Sequence, residues 1–416
     1  VMSNAPKKAD VIIIGGGIAG LTQSLILGQN GCNVICLDRE TIKEHRDAPI
    51  NYRTTAISYG SRQLFEAINI WDDLSAHACP IKDIQVADGN SPALLSFVLD
   101  EDIQSQEAKG FGCIIENNFI SKILLYAIKK EKNITLIEGQ SAKKFKYSEN
   151  SISVETSDNN IYEASLIIGA DGRQSFTLQW MNIDVEEYNY KQRAIVSIIT
   201  HENPHQNIAI ENFKSTGPLA ILPMLDEAKN THRSSIVWTE DSKTKRSIME
   251  LDEETYLCAL SNRFPRFYGD IKATTQRFSY PLGLINAHSY IAPRCALIGD
   301  AAHGIHPIAG QGLNLGLRDV AELTDLILRS KKESQDIGSE DLLNAYEKNR
   351  RSDNSLMIAI THNLNKLFSN NMSSLKPSRK LGLSAMNKIQ PFKKIIRKQT
   401  MGTSGNVPRI IKQGKV

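Results

Sequence analysis

The sequence has no pair of cysteines with two residues between them. Its six, Cys32, Cys36, Cys79, Cys113, Cys258 and Cys295, are scattered through 416 residues. That excludes a zinc ribbon and a redox dithiol, and leaves small core side chains in a reducing, cytoplasmic compartment. A long hydrophobic run is also missing. The most apolar stretch, residues 11–28, is broken by Gly15, Gly16, Gly17 and Gly20 and by Thr22, Gln23 and Ser24, so it is a poor membrane span. No basic start followed by a cleavage site leads the chain, and no secretory leader is expected. No internal repeat is visible, and the polar stretches 332–335 and 369–374 are too short to split the chain. Acid is absent from one region. Residues 354–416 hold twelve Lys/Arg and no Asp/Glu, so the net +3 divides into +12 there and −9 in the 353 residues before. A basic tail on an acidic body fits an anionic surface or partner, and equally a solvated helical face. No nucleic-acid recognition motif accompanies it, so nucleic acid is not an expected partner.

What is present is an ordinary globular balance, 41% apolar and 23% charged, over a length that suits two domains or one large composite. Val1 stands ahead of Met2 and is left out of fold reasoning. Residues 10–14 read as a buried strand, 21–28 as a helix and 34–37 as a second strand, which makes a βαβ unit with a parallel sheet. Helix is expected at 118–130, and strand at 134–137, 152–154, 161–168 and 295–298. Period-two alternation from 194 to about 280 predicts an antiparallel sheet, and helix dominates from 312 onward. The expected fold is α/β, an α+β composite. A Rossmann-like nucleotide domain is assembled from 1–74, 110–175 and 281–340. A β-rich insert at 75–109 and 176–280 forms the substrate domain, and 341–416 is a helical, basic C-terminal part.

Gly15-x-Gly17-x-x-Gly20 follows the first strand and opens the helix. The first glycine permits the tight turn, the second lets backbone approach a pyrophosphate, and the third lets helix pack on sheet. The helix N-terminus, with Ile18 and Ala19 in its first turn, offers free N–H groups to phosphates. Asp38 ends the second strand, where an acid accepts hydrogen bonds from an adenosine ribose, and Arg39 follows it. The acid repels a 2′-phosphate, so FAD or NAD is favoured here over NADP. A second signal lies at Gly299-Asp300, after a buried strand, followed by Gly310, Gly312, Leu313 and Asn314 at the start of another helix. Asp300 is suited to a polyol hydroxyl, the glycines to a flat ring lying on backbone, and the helix start to negative charge on that ring. A plain NAD dehydrogenase has no need of this second site. Asp171, in Gly169-Ala170-Asp171-Gly172, supplies a third glycine–acid signature.

These motifs, in this order, resemble the flavoprotein aromatic hydroxylases related to para-hydroxybenzoate hydroxylase, and among them the ubiquinone-biosynthesis hydroxylases. The carriers are GGGIAG at 15–20, RTTAIS at 53–58, Glu116-Asn117, GADG at 169–172, GPLAILP at 217–223 and GDAAHGIHPIAGQGLNLGLRD at 299–319. The ending Met401-Gly402-x-Ser404-Gly405-Asn406-x-Pro408-Arg409 is similar too. The resemblance implies FAD as cofactor, NADH or NADPH as co-substrate, O2 and a lipophilic aromatic quinone precursor. It implies a cycle in which NAD(P)H reduces FAD, oxygen adds as a flavin hydroperoxide, and an electron-rich ring takes the distal oxygen. One departure stands out. The family often carries Arg three residues after the Ser of the Asp-Gly motif, and this chain has Leu178 there; Arg173 is a substitute for the nicotinamide contact.

Further site assignments follow from the resemblance. His306 and Pro307 lie near the flavin ring as catalytic candidates, with loop packing as the plainer role of His303 and His306. No metal is expected, because those two histidines lack a third ligand. Arg53 reaches the flavin or its phosphates, or else makes a surface salt bridge. Asn117 is a helix N-cap or a cofactor contact. Leu222, Pro223 and Trp238 are placed on the substrate face, with ordinary sheet core as the competing reading. Residues 376–398, with Lys388, Lys393, Lys394, Arg397 and Lys398 around Phe392, Ile395 and Ile396, suit an amphipathic segment on anionic lipid. That places the protein on the inner face of a membrane or in a ubiquinone-biosynthesis complex. A hydroxylase of a soluble aromatic acid and an FAD-dependent isoprenoid reductase are the alternatives. Tryptophan halogenation is disfavoured by the absence of WxWxIP.

Overall fold

The computed structural model describes residues 6–41, 43–44, 52–88, 95–98, 111–213, 217–228, 231–305, 310–368, 401–403, 405 and 407–416. Its centre is a parallel sheet in the order Ile134–Ile137, Val34–Leu37, Val11–Ile14, Leu166–Gly169, Cys295–Leu297, closed by an antiparallel two-residue strand at Ile291–Ala292. The middle strands are unbroken apolar runs because both faces are covered. Val11 and Ile13 point to the layer of the helices Ile18–Gln29, Asn117–Lys130 and Gly312–Lys332. Ile12 and Ile14 point the other way, onto Phe145, Ile152, Val154 and Tyr162 of a small sheet formed by Ala142–Tyr147, Ile152–Thr156, Ile161–Ala164 and Lys7–Lys8.

The alternating region forms the large sheet. In order, its strands are His303–Gly304, Phe278–Ala287, Val185–His201, His232–Asp241, Leu219–Met224, Ile208–Phe213, Asp83–Asp88 and Leu95–Val98. It is antiparallel except at one place, where Asp83–Asp88 pairs in parallel with Ile208–Phe213. The expected insert segment 75–109 thus supplies strands to this sheet, but Cys79–Ile81 joins Gly112–Glu116 and Thr54–Ser58 in a separate three-stranded sheet. Phe278–Ala287 runs without a break through the boundary expected at residue 281. Alternation gave no sign of the helix Glu253–Ser261. Asp252 starts it by accepting the Thr255 N–H at 2.8 Å, and it covers one face of the large sheet.

The chain's last part returns to the helices beside the parallel sheet. The short helix Arg409–Gln413 packs on Tyr59–Ala67 and Gly312–Lys332, and the Asp325 carboxylate accepts the N–H of Arg409 at 2.6 Å. The Gly60 N–H donates to the Met401 carbonyl at 2.9 Å. The segment 376–398 and the polar stretch 369–374 lie outside the described residues.

Candidate functional site

A cleft of about 310 Å³ opens at the carboxyl ends of Val11–Ile14 and Val34–Leu37, lined by Gly15, Gly17, Asp38, Arg39, Asp171 and Gly172. Open α/β sheets bind ligands at this edge. Gly15 sits at φ +111°, and a Cβ on it would stand 2.3 Å from the Ala170 carbonyl oxygen. The turn is therefore wedged between two strand ends and has no room for another residue. Gly17 differs: a Cβ there would meet nothing within 4 Å. It is also the N-cap of Ile18–Gln29 and makes no side-chain cap bond. An uncapped helix start facing open space is the fit that a pyrophosphate requires.

The second half of the site abuts the first. Gly299 lies against Ala19, with 3.6 Å between its would-be Cβ and the Ala19 Cβ, and Gly316 backs it from Gly312–Lys332. Gly310 presses on Ala56, where a Cβ would come within 3.0 Å of the alanine Cβ. Asn314 ties these parts together. Its Oδ1 accepts from Ser58 N at 3.0 Å and Ser61 Oγ at 2.8 Å, and its Nδ2 donates to the carbonyls of Ala56 at 2.7 Å and Gly310 at 3.2 Å. The side chain is thus spent on joining two loops. Gly312 and Leu313 begin the helix with no side-chain cap bond, which leaves its positive end for a ligand.

Beneath Gly299 lies a buried charge cluster that sequence reasoning missed. Asp319 is fully buried and accepts from His303 Nε2 at 2.5 Å, Gly299 N at 2.9 Å and Arg350 Nε at 2.8 Å. Arg350 donates on to Asp353 at 2.7 Å and Asn354 at 2.8 Å. Burial alone pushes the Asp319 carboxyl up, but His303 and Arg350 overturn that and hold it at about 2, below the ordinary 3.8. A folded-state value below the unfolded one means stability that is present at neutral pH and lost as pH falls from about 4 to about 2. In denaturant melts across that window, wild type is expected to lose stability more steeply than Asp319→Asn. Parallel curves would remove Asp319 from the acid response.

The other sequence assignments separate in three dimensions. Asp171 lines the cleft, but its carboxylate accepts from Ser175 Oγ at 2.5 Å, Thr177 N at 3.0 Å and Thr177 Oγ1 at 3.1 Å, so it stiffens the Asp-Gly turn. Asn117 is not the N-cap: Glu116 holds that position, and Asn117 Oδ1 accepts from Thr55 Oγ1 at 2.6 Å. Arg53 is exposed, with its guanidinium 5.0 Å from the Tyr280 ring. Arg173 donates to the carbonyls of Gly283 at 3.0 Å and Ile305 at 2.9 Å and pairs with half-exposed Asp300 at 3.4 Å. It bridges the turn, the large sheet and the Gly-Asp loop, while Leu178 is a core residue.

The period-two rule splits the three substrate candidates. Leu222 shares a face with Met224 and Ser235 and packs toward Tyr52, Ala56 and Tyr59 of the nucleotide domain. Thr54 and Ser235 hydroxyls meet on that side at 2.8 Å. Trp238 and Pro223 fall on the opposite face, and Trp238 is buried among Tyr256, Leu260 and Tyr268 beneath Glu253–Ser261. His306 and Pro307 lie outside the described residues. Among the described residues, no group of three or more His, Cys, Asp or Glu could hold a metal ion.

A family model described as "FAD binding domain" matches residues 8–359. The chain is 37% identical over 404 residues to "Ubiquinone hydroxylase UbiL" of Rhodospirillum rubrum, covering 97% of this chain and 92% of that one. It is 29% identical over 442 residues to "Ubiquinone biosynthesis monooxygenase COQ6, mitochondrial" of Caenorhabditis elegans, covering 94% and 96%. Among solved structures, it superposes on PqsL of P. aeruginosa, crystallised with 2-aminobenzoylacetate, with a TM-score of 0.76 at 21% identity, over 91% of this chain and 99% of that one. That last likeness is one of fold.

Proposed function

Because the chain belongs to the FAD-binding-domain family of FAD-dependent monooxygenases, we propose that it hydroxylates the aromatic ring of a ubiquinone precursor with NAD(P)H and O2. The observation that carries this reading is likeness over 97% of the chain to a ubiquinone hydroxylase, in a fold whose two glycine loops abut. The reaction replaces a ring C–H by C–OH. One oxygen atom enters the ring, the other leaves as water, and NAD(P)H supplies two electrons. Bound FAD supplies the electron transfer and oxygen activation.

The chain's own residues bind, orient and exclude water. The Gly15–Gly20 turn and the start of Ile18–Gln29 would hold the pyrophosphate, and Asp38 would accept from the adenosine ribose. Asp300 would take a hydroxyl of the polyol, and the amides at the start of Gly312–Lys332 would favour negative charge on the ring. Leu222, Met224 and Ile198, facing Tyr52 and Ala56, form an apolar layer between the large sheet and the nucleotide domain. Such a layer suits a lipophilic ring and keeps water from the reacting atoms.

Among the described residues no helix is long and apolar enough to cross a membrane. The basic, acid-free stretch 376–398 suits attachment to anionic lipid, where an isoprenoid-tailed precursor resides. Two measurements test the reading together. Cells lacking the protein are expected to accumulate a quinone precursor short of one hydroxyl, and purified enzyme to place one atom from 18O2 in the product. Product with no new oxygen would point to an isoprenoid reductase, and a normal quinone profile to a soluble aromatic acid as substrate. Liposome flotation unchanged by deleting 376–398 would discard the membrane contact alone.

A further inference from the structure

Asp319 joins the Gly299–His303 loop to the long helix Glu340–Phe368. Its Oδ2 accepts from Gly299 N at 2.9 Å and His303 Nε2 at 2.5 Å, on either side of Asp300. Its Oδ1 accepts from Arg350 Nε at 2.8 Å and Asn354 Nδ2 at 3.3 Å, both on the long helix Glu340–Phe368. Four donors converge on one wholly buried carboxylate.

Packing two helices does not call for this. Apolar side chains of similar volume hold buried helices together as well as an ion pair does, or better. What they cannot do is accept two hydrogen bonds from a loop. Because a carboxylate only accepts, His303 must carry its proton on Nε2, and its Nδ1 is buried with no partner among the described residues. The imidazole is therefore anchored through Asp319. Arg350 completes the anchor from behind. Its Nη1 is held by Asp353 at 2.7 Å and its Nη2 by Asn354 at 2.8 Å, so the guanidinium has one orientation in which to meet Asp319.

The geometry points to Asp319, backed by Arg350, as a positioning residue that fixes the Gly299–His303 loop for the bound flavin. This rests on the reading that FAD lies against that loop. It gives the C-terminal helix Glu340–Phe368 a part in cofactor binding, although Arg350 lies far in sequence from every glycine motif. An amide cannot replace the carboxylate. Asparagine has a single acceptor atom, so its NH2 must face either Arg350 or the pair Gly299 and His303, donor against donor.

The test compares Asp319→Asn with Glu322→Gln. Glu322 is also buried and joins the same two helices, accepting from Asn349 Nδ2 at 2.7 Å, but it belongs neither to the Asp319–Arg350 anchor nor to the loop. Both variants should melt at lower temperature. Titrated with FAD after removal of the cofactor, Asp319→Asn is expected to show a Kd raised at least about tenfold, and Glu322→Gln a Kd within about twofold of wild type. Arg350→Lys keeps the charge and loses the fork, and is expected to raise the Kd about threefold or more. It decides the question should Asp319→Asn not fold. Equal Kd values in wild type and the loop-linked variants, or equal losses in Asp319→Asn and Glu322→Gln, overturn the proposal while leaving the flavoenzyme reading intact. A wild-type protein that takes up no FAD overturns both.

Discussion

Gly17→Val is expected to give a folded but colourless protein, with a Kd for FAD raised at least about a hundredfold, whereas Gly20→Val is expected to lose the fold itself. The two glycines belong to one motif and look interchangeable in the sequence. Around Gly17, φ is −72° and ψ 175°, which any residue adopts, and a Cβ meets nothing within 4 Å. The valine therefore costs the apo protein little, within about 0.5 kcal/mol. Its methyls occupy the space from which a pyrophosphate reaches the helix amides. At Gly20 a Cβ would stand 2.0 Å from the Gly15 carbonyl oxygen, so Ile18–Gln29 must lift off the sheet that it covers. Overpacking of this kind costs about 1–3 kcal/mol where neighbours can move, and here the neighbour is backbone. Thermal melts of apo protein and FAD titrations separate the two effects. A yellow Gly17→Val protein with unchanged affinity would show that no phosphate approaches this turn.

The same contrast explains what is legible in the sequence. Local signals suffice where one short segment does one job. The apolar runs at 11–14 and 34–37, the glycine turn between them and Asp38 at the second strand's end form one βαβ unit, and Ile14, Gly15, Gly16, Gly17, Leu37 and Asp38 line one cleft. Signals failed where the answer lies in a third element. Alternation shows that Leu222 and Trp238 belong to a sheet, but both faces of that sheet are covered. Only the helix Glu253–Ser261 decides which face is which. Asp171 stands in an Asp-Gly turn and Asn117 at a strand-to-helix junction, and neither local pattern names a hydrogen-bond partner. Their hydrogen bonds to Thr177 and Thr55 need the fold to appear. The Asp319 cluster was the least legible. His303, Asp319, Arg350 and Asn354 share no spacing pattern, and the last two lie in a helix that sequence reading set apart as a basic C-terminal region.

That region also yields the second large effect. Ending the chain at residue 400 is expected to leave a protein that aggregates or melts many degrees lower, despite the loss of only sixteen residues. Charge counting weighs Arg409, Lys412 and Lys415, which are exposed. It does not weigh Met401, Val407, Ile410 and Ile411, exposed by only 9%, 8%, 0% and 3%. Each large apolar side chain so buried is worth about 1.5–3 kcal/mol. Four of them amount to a large part of the ~5–15 kcal/mol by which folded domains are stable. Their removal also uncovers Tyr59–Ala67, the helix that leads out of Thr54–Ser58 and is tied to Asn314 through Ser61. FAD affinity should therefore fall with stability. A charge-reversing control, Lys412→Glu with Lys415→Glu, should change neither, because both side chains stand in water where such charges contribute little. If the truncated chain melts within about 2 °C of wild type while the control is destabilised, charge and not burial holds this end in place, and the docked helix would have no structural weight.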